Sequence, residues 1–456
     1  MLSGASARIG AAALAVAGLW AAVYWVSLPA RAPDRQVAAT VPAAAPASRA
    51  ELVRAAPASP ALPALRAVVI AGQSAPGGGT FDRFDVNAQP IVAPANAQGA
   101  VAFYARLIRA KQAEGIFLAE GAALSKIAAI GDPVPGGGRL SDFSKHPAPA
   151  LNAAAKVAFS AGVAGGAATD GIFLASGGAL TVIALTGADA PGVPNGVLAE
   201  LDTPVLNDDD QIAFVALVRR GRDTLQVLYL HRGGKLHKLA ASGDVVPRVG
   251  GVFDGFGVPT INQKGVVAFA ATVDHGKILG GIFLAGTRDL TLLAAAGDTG
   301  SDGAMLTRFS ERLAIDDEDT VAFGAHLNAH GSVAEAVYTA SVSGLTRVAA
   351  AGDPAPGGGR FAAFGAWPAI GPGGAVSFAA ALEAGPGPAG VYTWRGGGTE
   401  RVALVGETLD DGAALAPLAL NPAPSAGAGG GVTFATMQAP EAGRNAIYYH
   451  APQAAQ

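Results

Sequence analysis

From about residue 65 onward, apolar runs of five to eight residues alternate with short polar breaks rich in Gly and Asn. No 3.6-residue apolar period is sustained anywhere in this stretch. Residues 253–298 show the unit. FDGFGVPTI leads to the turn NQKG, then VVAFAATV, a polar loop, GIFLAG, a turn, and LTLLAAAGD. Four such runs, each short of the ~10–12 residues that favour a helix, predict four strands.

The unit recurs. A loop-opening Gly falls at 72, 131, 187, 243, 297, 352 and 406, spaced by 54 to 59 residues. Phe103, Phe159, Phe214, Phe269, Phe323, Phe378 and Phe434 mark the second strand of each copy. A second aromatic follows about fourteen residues later, at Phe117, Phe173, Tyr229, Phe283, Tyr338, Tyr392 and Tyr448. Three markers in step through seven copies define a repeat architecture. A seven-bladed β-propeller of four-stranded blades is the all-β fold that such a unit predicts.

Closure into a ring, as opposed to an open stack, is read from the ends. The last copy has only three runs, and residues 65–72 (LRAVVIAG) match the missing fourth. That N-terminal strand is expected to complete the last blade, pairing near Ile447 to Tyr449 and removing the sheet edges of a linear array.

The turn before each marker Phe carries Asn96, Asn152, Asn207, Asn262 or Asp316, whose side chains can accept a backbone hydrogen bond. Three residues on stand Gly99, Gly265 and Gly374, or Asp210 and Asp319, which tolerate the left-handed conformation. Ala155 occupies that place in the second copy and should strain its turn. The loops GDPVPGGGRL (131–140) and GDPAPGGGRF (352–361) resemble a phosphate cradle only in glycine content. Neither has the Lys-Ser/Thr that would neutralise phosphate and bind magnesium. They read as the connection from the outer strand of one blade to the inner strand of the next, with Asp132, Asp244, Asp298 and Asp353 bonding nearby backbone N–H groups.

The Asn-x-x-Gly-x-Val-Ala-Phe turn and strand, with Gly-Ile-Phe and Gly-Asp-x-x-Pro-Gly-Gly-Gly, resembles the repeat of a group of bacterial exported tandem-repeat proteins. The resemblance covers nearly all of residues 65–456. It implies export and repeat architecture, and it brings no catalytic residue. In the last two copies Gly371 and Gly427 replace the turn Asn.

Composition adds constraints. The chain has 63 glycines and 30 prolines among 456 residues, and half its residues are hydrophobic, enough for a large core with many turns. A net charge of −4 gives no basic footprint for nucleic acid. The absence of cysteine excludes disulfides, thiolate metal sites and cysteine nucleophiles. Residues 9–28 (IGAAALAVAGLWAAVYWVSL) carry no charge and match the ~20 residues of a membrane-spanning helix. They predict an N-terminal hydrophobic helix, either an uncleaved anchor or a signal peptide cut near residue 32. Residues 29–64 are an Ala/Pro-rich linker, and 65–456 the propeller. The expected location is therefore periplasmic or extracellular, with attachment to the inner membrane if residues 9–28 stay.

Candidate chemistry is sparse. His326 and His330 have metal-like spacing, but in a loop without an accompanying Glu, so no metal or cofactor is assigned. The acidic runs at 207–211 and 316–319 fall on the turn and lack the alternating order of a calcium loop. No catalytic residue is assigned. Variable charged residues collect between the second and third strands: Arg106 and Arg109, then Arg219, Arg220 and Arg222, then Asp274 and His275, then His326 and His330. Variable loops on one face of a repeat fold are a usual binding surface. The expectation is a monomeric ring that acts as a binding or scaffold module for an anionic envelope polymer or a protein. The alternative is a hydrolase or lyase with carboxylates converging on the channel.

Overall fold

A computed structural model of the chain describes residues 65–84, 90–286, 289–300, 303–329, 332–419, 421–437 and 443–452. The apolar segment 9–28, the linker 29–64 and His330 lie outside the described residues. Seven antiparallel sheets follow one another around a β-propeller, one sheet per repeat. Blade four is representative. Its inner strand Val252–Phe256 pairs with Val267–Asp274, which pairs with Gly280–Ala285, which pairs with the outer strand Leu290–Ala295.

The two aromatic markers are the two members of one cross-strand pair. Phe103 lies opposite Phe117, Phe269 opposite Phe283, Phe378 opposite Tyr392 and Phe434 opposite Tyr448. Their ring centroids stand 5.6–5.9 Å apart in near-parallel stacks. The residue count from one aromatic to the next is thus the length of a hairpin, and each pair anchors the middle of its blade.

The last blade is closed as the sequence predicts. The strand Leu65–Ile70 pairs antiparallel with Ala446–His450, from Leu65 opposite His450 to Ile70 opposite Ala446. Among the described residues, seven apolar clusters each join two neighbouring blades. One of them joins blade seven to blade one through Val69, Ile447, Ala435, Phe103 and Phe117. A linear array of seven blades would have six such seams; a ring has seven.

The turn asparagines do more than their sequence signature indicates. Asn262 Oδ1 accepts from the N–H of Val266, closing its own turn. Its Nδ2 donates to the Asp316 carbonyl at 3.0 Å in the next blade. Asn96, Asn152 and Asn207 donate likewise to Asn152, Asn207 and Asn262. A second ladder runs beside it: Ala153 N–H donates to Asp208, Asp208 N–H to Gln263, and Gln263 N–H to Asp317. The acidic turns therefore receive bonds from the preceding blade, including those of Lys156 to Asp210 and Asn262 to Asp319. Ala155 does adopt a left-handed φ of 57°, beside 59° at Asp210 and 63° at Asp319.

The triple-glycine loop is a blade connector. Asp132, Asp244, Asp298 and Asp353 each accept the backbone N–H three residues earlier, at 2.7–2.9 Å. Arg139 and Arg360, which follow the glycines, fold back to donate to the carbonyls of Gly131 and Gly352.

One element differs from the sequence reading. The inner strand, read as one run, is broken in two. In blade four Val252–Phe256 and Thr260–Ile261 both pair with Val267–Asp274; between them Gly257 still donates to the Ala270 carbonyl, and Val258 and Pro259 leave the ladder. Blades two, three, five and six are divided in the same way. Pro149, Pro204, Pro259, Pro368 and Pro424 stand three residues before the turn position. Proline supplies no N–H to a ladder, which is a local reason for the break in blades two, three, four and six; blade five is broken with Leu313 at that place.

Candidate functional site

The second inner segments run from these breaks to the Asn turns, and together they wall a central cavity of about 200 Å³ that is open to solvent. Each segment is an edge strand two or three residues long, so its unpaired backbone groups are free to face the cavity. The residue four places before each turn position is Val92, Ala148, Thr203, Val258, Arg312, Trp367 or Ala423. At this register the channel is filled. Val92, Ala148 and Ala423 form a buried cluster from blades one, two and seven, and Trp367 of blade six packs against it. The Arg312 guanidinium of blade five lies over the Trp367 ring, 5.6 Å from its centroid.

Arg312 is half-buried, and among the described residues no carboxylate lies within ion-pair distance of it. Desolvation draws its pKa down to about 10, while the charge of Asp202 pushes it back up. It therefore stays cationic at neutral pH. Asp202 sits in the break of blade three. Its Oδ1 meets His146 Nδ1, from the break of blade two, at 3.0 Å, and it also accepts the N–H of Thr203. Desolvation raises the Asp202 carboxyl, but the bonds and charge from His146, with the bonds from Thr203, outweigh it and leave the group below its ordinary value. The Thr203 hydroxyl stands 3.4 Å from the same His146 nitrogen. A fixed Asp–His pair is the arrangement that orients an imidazole for proton transfer.

The residues singled out from sequence lie elsewhere. Arg106, Arg109, Arg219, Arg220 and Arg222 are exposed on the hairpins between second and third strands, at the end of the ring opposite the Asn turns. Blade two separates the two groups, so they form no single cluster; Arg220 pairs with Asp223 at 3.6 Å. Asp274 and His275 pair with each other at 2.9 Å, both exposed. His326, read as a loop residue, stands in the strand Val321–Ala329 opposite Arg308 and Glu335. The hairpins are longer and more regular than their polarity indicates, which puts Arg106, Arg219, Arg220 and Asp274 on strand ends. Among the described residues no group of three or more His, Asp or Glu could hold a metal ion, and no helix is long and apolar enough to cross a membrane.

Sequence reasoning missed the channel residues, although a signal was present. Aligning the copies on the turn leaves one register where two neighbouring blades carry Arg and Trp, while the other five carry Val, Ala or Thr.

Several solved structures are similar to this chain. An oligogalacturonate lyase in complex with manganese is 11% identical, with a TM-score of 0.49 over 86% of this chain and 97% of that one. A puromycin-hydrolysing peptidase of Mycobacterium tuberculosis is 12% identical, with a TM-score of 0.44 over 84% of this chain and 54% of that one. A gluconolactonase of Xanthomonas campestris is 12% identical, with a TM-score of 0.31 over 87% of this chain and 98% of that one. All three are enzymes, and identities this low carry nothing about activity. No curated protein sequence matches the chain. A family model matches residues 59–386 and again 315–455, nearly the whole repeat region, and the chain therefore belongs to that family, described as Family of unknown function (DUF7453).

Proposed function

We propose that the chain is an exported β-propeller of the cell envelope that binds an anionic polymer, and that the ligand's charge is received in the central cavity. The observation that carries this reading is Arg312, a cation facing the cavity without a carboxylate partner within ion-pair distance. A half-buried guanidinium of that kind favours an incoming oxyanion, since an anion replaces the water it has lost. The exposed arginines of blades one and three offer the same polymer a second, outer contact, weak and salt-sensitive because it is solvated. Residues 9–28 hold the ring at the inner membrane, or direct its export if they are removed.

A second reading is an enzyme acting on that polymer. The His146–Asp202 pair favours it: the two side chains stand outside the cavity lining, in neighbouring breaks, but the charge of Asp202 reaches Arg312, and such a pair can move a proton.

Retention of the full chain on isolated anionic envelope polymer tests the first reading. Arg312→Gln should reduce retention about tenfold or more, as loss of a charge-assisted bond does. Changing Arg106, Arg109, Arg219, Arg220 and Arg222 to Glu should leave folding intact and lower retention mainly at low salt. Retention unchanged by both sets of substitutions would overturn the proposal. Release of soluble fragments that stops with Asp202→Asn would select the enzyme.

A further inference from the structure

We infer that the cavity takes the carboxylate-bearing end of an acidic saccharide chain, end-on, and not an internal stretch of it. The inference rests on the reading that the central cavity is the ligand site. Three features lead to it.

The first is the plug. Trp367 and the cluster of Val92, Ala148 and Ala423 fill the channel with groups from four blades, and Arg312 from a fifth lies over the Trp ring. The cavity is therefore a cup open toward the Asn turns, and no polymer can thread through it. A ligand enters by its terminus, and the floor that it meets is Arg312 with Trp367.

The second is the charge. Among the described residues lining the cup, Arg312 is the one ionisable side chain. A single planar fork matches one carboxylate in two parallel hydrogen bonds. A phosphate dianion would leave a net negative charge in the cup, because no second cation lines it.

The third is the wall. Its edge segments Ala150–Leu151, Val205–Leu206 and Thr260–Ile261 are two residues each and belong to separate blades. An extended peptide cannot pair along edges so short. A compact ring of hydroxyls can, because each hydroxyl both donates and accepts, and the groups around the cup come as separate N–H and C=O positions. The indole adds a flat apolar surface for a sugar face.

Calorimetry on the full chain tests this with five probes. These are glucuronate, its methyl ester, glucose, a tetrasaccharide ending in glucuronate at its non-reducing end, and the same tetrasaccharide capped there by glucose. Glucuronate and the acid-ended tetrasaccharide should bind, and the ester, glucose and the capped form should bind about tenfold or more weaker. Arg312→Gln should erase the preference for acid over ester, and Arg312→Lys should keep part of it. These comparisons hold on the unaltered chain, so a variant that fails to fold leaves the test standing. Equal binding of capped and uncapped tetrasaccharides would overturn end-on entry, and equal binding of acid and ester would overturn the carboxylate. If the chain is retained on envelope polymer while no acid probe binds or competes, this inference falls and the broader reading survives. If neither occurs, both fall.

Discussion

Removal of residues 65–72 is expected to destabilise the ring by about 5 kcal/mol or more and to drive it into aggregates. Val68 and Val69 are 7% and 1% exposed, and each buried valine is worth roughly 1.5–3 kcal/mol. Val69 also belongs to the cluster that joins blade seven to blade one, so its loss opens a seam as well as an edge. The strand Ala446–His450 would then present a row of unpaired backbone groups, which recruits other chains. The register gives a rescue. Leu65 lies opposite His450, so the N-terminal strand begins where the chain's last described strand ends. A permuted chain with LRAVVIAG joined after Pro452 through two glycines should regain the parent's thermal midpoint. A deletion that melts like the parent, or a permutant no better than the deletion, would contradict a ring closed by this strand.

Gly251→Val should cost roughly 3–5 kcal/mol, whereas Gly250→Val next to it should cost about 1–2 kcal/mol. Both glycines are left-handed, with φ of 73° and 72°, so the conformational penalty is common to the two. They differ in surroundings. A Cβ on Gly251 would stand 2.4 Å from the Asp274 carbonyl oxygen and 2.5 Å from the Gly276 nitrogen, whereas one on Gly250 meets nothing within 4 Å. The same close approach recurs at Gly79, Gly138 and Gly359, each against the hairpin of its own blade. The last glycine of the connector thus lets the loop lie against that hairpin. Chemical unfolding of the two variants measures the difference, and equal losses would place the whole effect in the backbone angle.

Much of this fold is legible in the sequence because its constraints are local and repeated. The turn at Asn262 needs a side-chain acceptor and a left-handed fourth residue, and both are visible as letters. The pair Phe269 and Phe283 fixes a hairpin length, and seven copies make it unmistakable. The closing strand shows itself as a piece missing at one end and present at the other. Less legible is what one blade does to the next. The donation from Asn262 Nδ2 to Asp316 crosses 54 residues, and nothing near Asn262 announces it. The break in the inner strand is hidden because FDGFGVPTI has the composition of a continuous strand, and only the proline hints otherwise. The channel residues follow from that break. His146 and Asp202 meet because two breaks in adjacent blades face each other, a contact set by the ring and not by spacing along the chain. Charge density drew attention to the hairpin arginines, but exposed charge marks solvation as readily as binding.

Tryptophan emission tests the central claim most directly. The chain has four tryptophans, Trp20, Trp25, Trp367 and Trp394, and among the described residues Trp367 is the tryptophan that lines the cavity. With Trp20, Trp25 and Trp394 changed to Phe, the remaining signal reports on the floor of the cup beside Arg312. Adding an acidic envelope polymer that the chain retains should shift or quench this emission with the same midpoint as retention, and Arg312→Gln should abolish both. Retention with Trp367 emission unchanged would put the ligand elsewhere on the ring and contradict the channel as its site.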